Sequence, residues 1–511
     1  MNFIMLRRIQ ELCFMGMIIF LPLGNIPVSF RVINTLYSLP LLCCLIGICL
    51  VFIENRKNDN LENTKTSLYG GKYKYFFLLY VGWPIFCILI GSVQYPYFYE
   101  INMINVPWMK QLQDVFSFAG KEYIDSICSA ILFMYRDIKE ELFPMGAGIA
   151  LVFHLYKNNW KRGVKMCIVA STILASFCIL YSIPEMIWLW TNSTVCELIL
   201  RTVNVYLYDV PLPPAWHPPL LWNGQLRSLF DEPSSLGIIS SFIYPMLFLI
   251  PCNRHRYYIG KVILISIFFL MILMTQSRTA VGVLIGEFLL LGLYLGVIKR
   301  KGLLIILFLT AFIGTFIYNA MPILINRSEI SKQIEVSGNS DDYMTRNIIS
   351  IASTDKRSNN TRYGMTVAAF RVGIQHPIFG VGRGYESLYM EMVLPEFAKE
   401  NREINEWMEI SRSKGITQMG CFILNQYMEE FAASGIIGLI IFVMPPFYII
   451  YKVLKKRLFH ELTLSVFIIS LLGQLAAMCS GPYCYTYPIV LGLLLCFIND
   501  QSRYAKMVTY E

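Results

Sequence analysis

The chain has 511 residues, 56% of them hydrophobic and only 15% charged, with a formal net charge of +9. A soluble domain carries about 25% charged residues, and a water-soluble chain this apolar would expose large aggregation-prone patches, so an ordinary soluble enzyme is excluded. The positive charge sits in short clusters between apolar runs, where it reports membrane topology and not a nucleic-acid partner.

Taken in order, Arg7 and Arg8 precede a first apolar run at 10–25. No small-residue cleavage site follows it and further spans come after, so it is read as an uncleaved helix. Further spans are predicted near 32–53, 75–95, 143–156, 164–183, 235–252, 260–276, 279–298, 302–320, 434–453, 462–480 and 483–499, which makes twelve. A span needs about 20 residues, and several of these are shorter. The weakest is the fourth; the stretch 124–137 either adds to it or lies on the membrane surface.

Loop charge sets the orientation. With the N-terminus inside, the cytoplasmic loops carry Arg56, Lys57, Lys65, Lys72 and Lys74, then Lys157, Lys161, Arg162 and Lys165, then Arg254, Arg256 and Lys261. Lys299, Arg300 and Lys301 follow, then Lys452, Lys455, Lys456 and Arg457, and the tail has Arg503 and Lys506. Every second loop is basic, which supports twelve spans with both termini in the cytoplasm. The expected fold is an all-α polytopic membrane protein with spans one to nine in 1–320, a large external loop at 321–433, and the last three spans with a cytoplasmic tail in 434–511. A loop that long is usually functional. The aromatic-rich stretch 96–142 suits an interfacial segment, and 184–234 is a loop rich in Pro and Trp.

The 14 cysteines lie mostly inside apolar runs and the five histidines have no ligand-like spacing, so no structural metal site is expected. Cys421 and Cys484 fall near the outer face and are a disulfide candidate only by position.

On this topology the unusual polar residues gather on the outer face. Arg227-Ser-Leu-Phe-Asp-Glu-Pro-Ser-Ser-Leu-Gly237 runs straight into the sixth span, with Pro233 suited to a first helical turn and Asp231 or Glu232 at the positive helix end. It reads either as a capped helix start with an interfacial arginine or as a carboxylate fixed at the membrane mouth. In Thr275-Gln-Ser-Arg278-Thr-Ala two apolar runs meet with almost no loop. An arginine at that depth snorkels, pairs, or binds an anion, since guanidinium matches phosphate oxygens in a fixed fork. In the large loop, residues 362–375 have helical character with Arg362 and Arg371, and His376-Pro-Ile-Phe-Gly-Val-Gly-Arg383-Gly is a glycine-rich turn. The turn is either structural or a cradle of N–H groups for an anion. The bulky anion available outside a cell is a lipid-linked phosphate or pyrophosphate.

These stretches resemble the O-antigen polymerase and ligase superfamily. FDEPSSLG resembles its F-x-E-P element, TQSRTA its T-x-S-R element at a span end, FRVGIQHPIFGVGRG the basic residue and hP-h-h-G-h-G of its large loop, and ILNQYMEEFAASGIIGL the N-x-Y…G-x-x-G lead into the next span. The likeness covers roughly 220–450. It implies a GT-C-like membrane glycosyltransferase of the bacterial inner membrane, working at the periplasmic or extracellular face without a nucleotide sugar, a cofactor or a metal. Donor and acceptor would be glycans on undecaprenyl pyrophosphate. Catalytic roles would fall to Arg278, Glu232 and Arg371, with Arg227, Arg362, His376, Arg383 and Asn425 binding substrate. A chain-length regulator and a flippase are the expected protein partners. Ligases of this superfamily usually have a histidine before the asparagine of the last element; here Leu424 precedes Asn425, which favours a polymerase. A ligase, or a flippase of lipid-linked oligosaccharide, remains the alternative; the absence of an internal repeat speaks against the flippase.

Overall fold

The computed structural model describes residues 3–24, 26–27, 38–59, 72–96, 101–102, 106–116, 120–207, 224–251, 255–325, 357–415 and 421–508. These residues are helical throughout, with no strand among them. Before the large loop come α1 (Phe3–Ile19), α2 (Leu39–Asp59), α3 (Lys72–Gln94), α4 (Pro107–Val115), α5 (Lys121–Asp137), α6 (Phe143–Tyr156), α7 (Trp160–Thr191), α8 (Thr194–Leu207), α9 (Pro233–Phe248), α10 (His255–Met274), α11 (Arg278–Val297) and α12 (Lys301–Ile325). The loop contributes α13 (Arg357–Gln375), α14 (Glu386–Val393), α15 (Glu396–Lys399) and α16 (Arg402–Lys414), and α17 (Gln426–Lys455), α18 (Leu462–Ala477) and α19 (Thr486–Val508) close the chain.

Each predicted apolar run falls on a helix. Six helices, α2, α7, α10, α11, α12 and α17, are long and apolar enough to cross a membrane, and α3, α9, α18 and α19 carry shorter apolar stretches. Their outward faces are apolar: Leu289, Leu293 and Val297 on α11, Ile305, Phe308, Phe312 and Phe316 on α12. Water does not suit such a surface and lipid does, because each helix satisfies its own backbone hydrogen bonds. This is a membrane protein.

Two predicted segments take a different form. The stretch 124–137 does not stand apart from the fourth run: α5 continues through a π-helical turn, Ile138–Leu142, into α6. The loop predicted at 184–234 is helical over its first part, because α7 extends to Thr191 and α8 follows, with Leu200 and Asn204 buried. Asn192 turns the chain in the left-handed region that asparagine tolerates. The Pro- and Trp-rich part of that loop, 208–223, lies outside the described residues, as do 326–356 of the large loop.

The core has two parts. The larger runs through α1, α2, α6, α7, α9 to α12 and α17 to α19. A second apolar cluster, with Ile88, Phe133, Met365, Ala368, Ala369, Val372, Tyr385, Met390 and Ile404, seats the loop helices on α3, α5 and α17. The described part of the large loop is thus a packed helical layer.

Candidate functional site

The site begins where α9 and α11 start side by side. Pro233 opens α9, and Glu232 takes the N-cap position with extended backbone. The Asp231 carboxylate accepts from the Glu232 N–H (2.9 Å) and the Ser235 hydroxyl (3.0 Å), and the Ser234 hydroxyl donates to Glu232 (2.9 Å). Thr275, Gln276 and Ser277 join α10 to α11; Gln276 lies at φ +49° and donates to the Gly224 carbonyl (2.8 Å), while the Ser277 hydroxyl accepts from the Ala280 N–H as the N-cap. Arg278 is the first residue of α11. Gly237 permits the approach of the two helices, since a Cβ there would lie 2.3 Å from the Ala280 Cβ. The last residues of the FDEPSSLG and TQSRTA elements are therefore in contact.

A third helix start completes the arrangement. The Asn425 side chain caps α17 by accepting from the Tyr427 and Met428 N–H groups (both 3.1 Å), and donates to the Cys479 carbonyl (3.2 Å) in the turn between α18 and α19. At the apex of that turn the Ser480 hydroxyl is hydrogen-bonded to Thr279, the neighbour of Arg278. Arg362, from α13, donates through Nη1 to the Ser480 carbonyl (3.0 Å) and to its hydroxyl. Arg362 and Thr279 thus meet at Ser480, with Asn425 on the adjoining Cys479, and Arg278 and Glu232 act on Arg362 through space. The two guanidiniums repel through space. Burial depresses the Arg362 guanidinium, and Glu232 and Glu403 raise it; guanidinium stays charged regardless. Partial enclosure and the neighbouring Asp231 push the Glu232 carboxyl above its ordinary value. The starts of α9, α11 and α17 add the positive ends of their helix dipoles. Two arginines among three helix N-termini form a surface suited to an oxyanion.

The other sequence-predicted residues lie elsewhere. Arg227 is fully buried. It donates to the Phe230 carbonyl (2.7 Å), the Tyr181 hydroxyl and Asn204 (both 3.0 Å), and its own N–H and that of Ser228 reach Glu185. It holds the strap leading into Glu232 from inside. Arg371 stands nine residues after Arg362 on α13, about half a turn round and roughly 13 Å along the axis; it is exposed and donates to the Val393 carbonyl (2.9 Å). His376 lies edge-on to Tyr389, and burial lowers it from its ordinary value.

The glycine-rich turn is not an anion cradle. The Val381 and Gly382 N–H groups donate to the Ala432 and Ala433 carbonyls (2.9 and 2.8 Å), and the Gly380 N–H to the His376 carbonyl (2.9 Å). Those carbonyls are free to accept because α17 breaks at Gly435 (φ +65°). At Gly380 (φ +64°) a Cβ would lie 2.4 Å from the Ala433 carbonyl carbon, so only glycine fits. The turn docks the loop and carries Arg383 into a cage of carboxylates: Nε meets Asp137 at 3.0 Å, Nη1 meets Glu429 at 3.0 Å and Glu141 at 3.5 Å, and Nη2 pairs with Glu430. Burial alone would lower the Arg383 guanidinium; these carboxylates hold it well above its ordinary value. A cavity of about 10 Å³, room for about one water, adjoins them. Cys421 and Cys484 are both free thiols.

Residues 263–443 match the family model described as O-Antigen ligase. Over those residues, about a third of the chain, it is similar to that family. No curated protein and no solved structure matches the chain. The superfamily match spans Arg278, Arg362, Arg371, His376, Arg383 and Asn425, while Glu232, Arg227 and Ser480 fall outside it.

Sequence reasoning missed Ser480 and the carboxylate cage. Ser480-Gly-Pro was the available signal, a turn between two spans at the working face. For the cage it was the charged run Arg136-Asp137-Ile138-Lys139-Glu140-Glu141 between two apolar stretches and Glu429-Glu430 just inside α17. Neither shows its partner in the linear chain.

Proposed function

We propose that the chain is a member of the O-antigen polymerase and ligase superfamily and a polysaccharide polymerase that joins repeat units carried on undecaprenyl pyrophosphate, at the outer face of the bacterial inner membrane. The observation that carries the reading is that Arg362 and Thr279, the neighbour of Arg278, are both hydrogen-bonded to Ser480, where three helices start and the two guanidiniums act on each other. In the transfer, the acceptor hydroxyl oxygen bonds to the anomeric carbon as the carbon–oxygen bond to the pyrophosphate breaks. The electron pair leaves with the lipid pyrophosphate, and Arg278 and Arg362 meet that growing charge where it develops. Glu232 takes the hydroxyl proton, a role its raised carboxyl suits. Leu424 stands where ligases usually place a histidine, and this favours a polymerase over a ligase. The second reading is a ligase, favoured by the description of the matched family itself. Twelve spans and cytoplasmic termini are part of the proposal, supported by the alternating basic loops.

The test is a deletion strain complemented with Arg278→Ala and read by glycan ladder. Protein is expected in the membrane, with single repeat units on the surface and no long chains. Long chains at the normal level overturn the role of Arg278. Accumulated lipid-linked polymer in the deletion selects the ligase reading, and untransported units a flippase.

A further inference from the structure

Gln426 is fully buried at the first position of α17. Its main-chain N–H donates to the Met478 carbonyl (2.9 Å), and its side-chain oxygen accepts from the Tyr483 N–H (3.1 Å). It thereby grips both ends of the turn whose apex is Ser480. Its amide nitrogen donates to Glu430 (3.2 Å), which pairs with Arg383. Arg362 and Arg383 belong to the same inserted segment: Ser480 holds the first and the carboxylate cage the second. Gln426 touches both supports. Tyr483 reinforces the link by donating through its hydroxyl to the Glu141 carbonyl (2.8 Å).

An amide is suited to this position because it accepts and donates at once. A carboxylate would keep the acceptor for Tyr483 but set a second negative charge against Glu430. An apolar side chain would leave the Tyr483 N–H without its partner and take from the Glu430 oxygen one of its two donors, Arg383 remaining. We infer that Gln426 is a positioning residue that couples the seating of Arg383 among its carboxylates to the placement of Ser480, and through it of Arg362 and Thr279. The inference rests on the function proposed above. Gln426 touches no substrate; it fixes the geometry of groups that do, and a displacement of about 1 Å at such a site costs up to about 10²-fold in rate.

The experiment uses membranes holding the full chain, with lipid-pyrophosphate-linked repeat units extracted from cells that lack it. Rates are normalised to the chain present in the membrane. Gln426→Glu is expected to lower kcat toward that 10²-fold limit with KM little changed. Adding Glu430→Gln exchanges the amide and the carboxylate across the same contact and should restore most of the rate. Gln426→Met should lose rate as well, without rescue by Glu430→Gln, and it carries the comparison should Gln426→Glu fail to accumulate. Full kcat in either Gln426 variant overturns the inference, as does equal rescue of Gln426→Met. Arg278→Ala run alongside separates the two claims. If it is inactive while the Gln426 variants run at full rate, only this inference fails; if it is fully active, the proposed function fails.

Discussion

Two arginines carried by the same inserted segment meet opposite surroundings. Arg362 is half-buried and leans on a neutral serine, with Arg278 close enough to repel it and with Glu232 and Glu403 acting on it through space. Arg383 is buried among Asp137, Glu141, Glu429 and Glu430. In the first place two guanidiniums repel each other, and the hydrogen bonds of Arg362 go to Ser480 and not to a carboxylate. In the second, negative charge exceeds positive, and another anion would be repelled. Both arginines lie within the stretch 220–450 that resembles one family, yet their surroundings differ, and the proposed pyrophosphate role falls to the first alone. What an arginine does is decided by what the fold places around it.

The sharpest way to break this contrast is to remove each guanidinium in turn. Arg362→Ala should leave the chain at normal level in the membrane and lower polymerisation by about 10²-fold or more, the loss typical of a donor aimed at developing charge. Arg383→Ala leaves buried carboxylates without their cation, which destabilises by about 3–5 kcal/mol, so the chain itself should fail to accumulate. Immunoblots of membranes beside glycan ladders read both. A normal level of Arg383→Ala chain with lost polymer would put Arg383 in the site and dissolve the contrast.

A smaller effect is expected where the loop docks. Gly380→Ala places a Cβ in the left-handed region and against the Ala433 main chain, a strain of about 1–3 kcal/mol. Because the turn seats the whole loop, thermal unfolding in detergent should begin earlier and protease should cut the loop sooner. An unchanged midpoint would mean that the α17 break at Gly435 does not hold the turn as tightly as its hydrogen bonds imply.

Much of the architecture was legible because lipid and helix impose simple patterns. Every apolar run became a helix, and the Pro233 start, the Ser277 cap and the Asn425 cap stand where their residue types place them. Of the candidate site, the sequence named Arg278, Glu232, Arg362 and Asn425, and the fold sets these near one another. What stayed hidden depends on pairing across long stretches of chain. Nothing in FRVGIQHPIFGVGRG says that its N–H groups meet the carbonyls at a kink in α17, and so the turn resembled an anion cradle. Arg227 looks like Arg278 in sequence, but Glu185, Tyr181 and Asn204 enclose it, and those partners lie on helices the motif does not include. The helical spacing of Arg362 and Arg371 was available, and it sets them on opposite faces.

The finest distinction concerns protons. Glu386, on α14 beside the cage, is buried; that burial, with Glu429 nearby, pushes its carboxyl up to about 8, while Arg383 pulls it down. In the unfolded chain it titrates near its ordinary value of 4.5. Between those values the folded chain holds a proton that the unfolded chain releases. The stability this contributes is complete below the ordinary value and is lost as pH rises through about 8. Thermal unfolding midpoints of the wild type should therefore fall across that window, and Glu386→Gln, which stays neutral, should flatten the fall. A wild-type profile as flat as that of Glu386→Gln would mean that Glu386 is already ionised in the folded chain. The cage would then carry its full negative charge against one arginine, and Arg383→Ala should be more damaging than the estimate above.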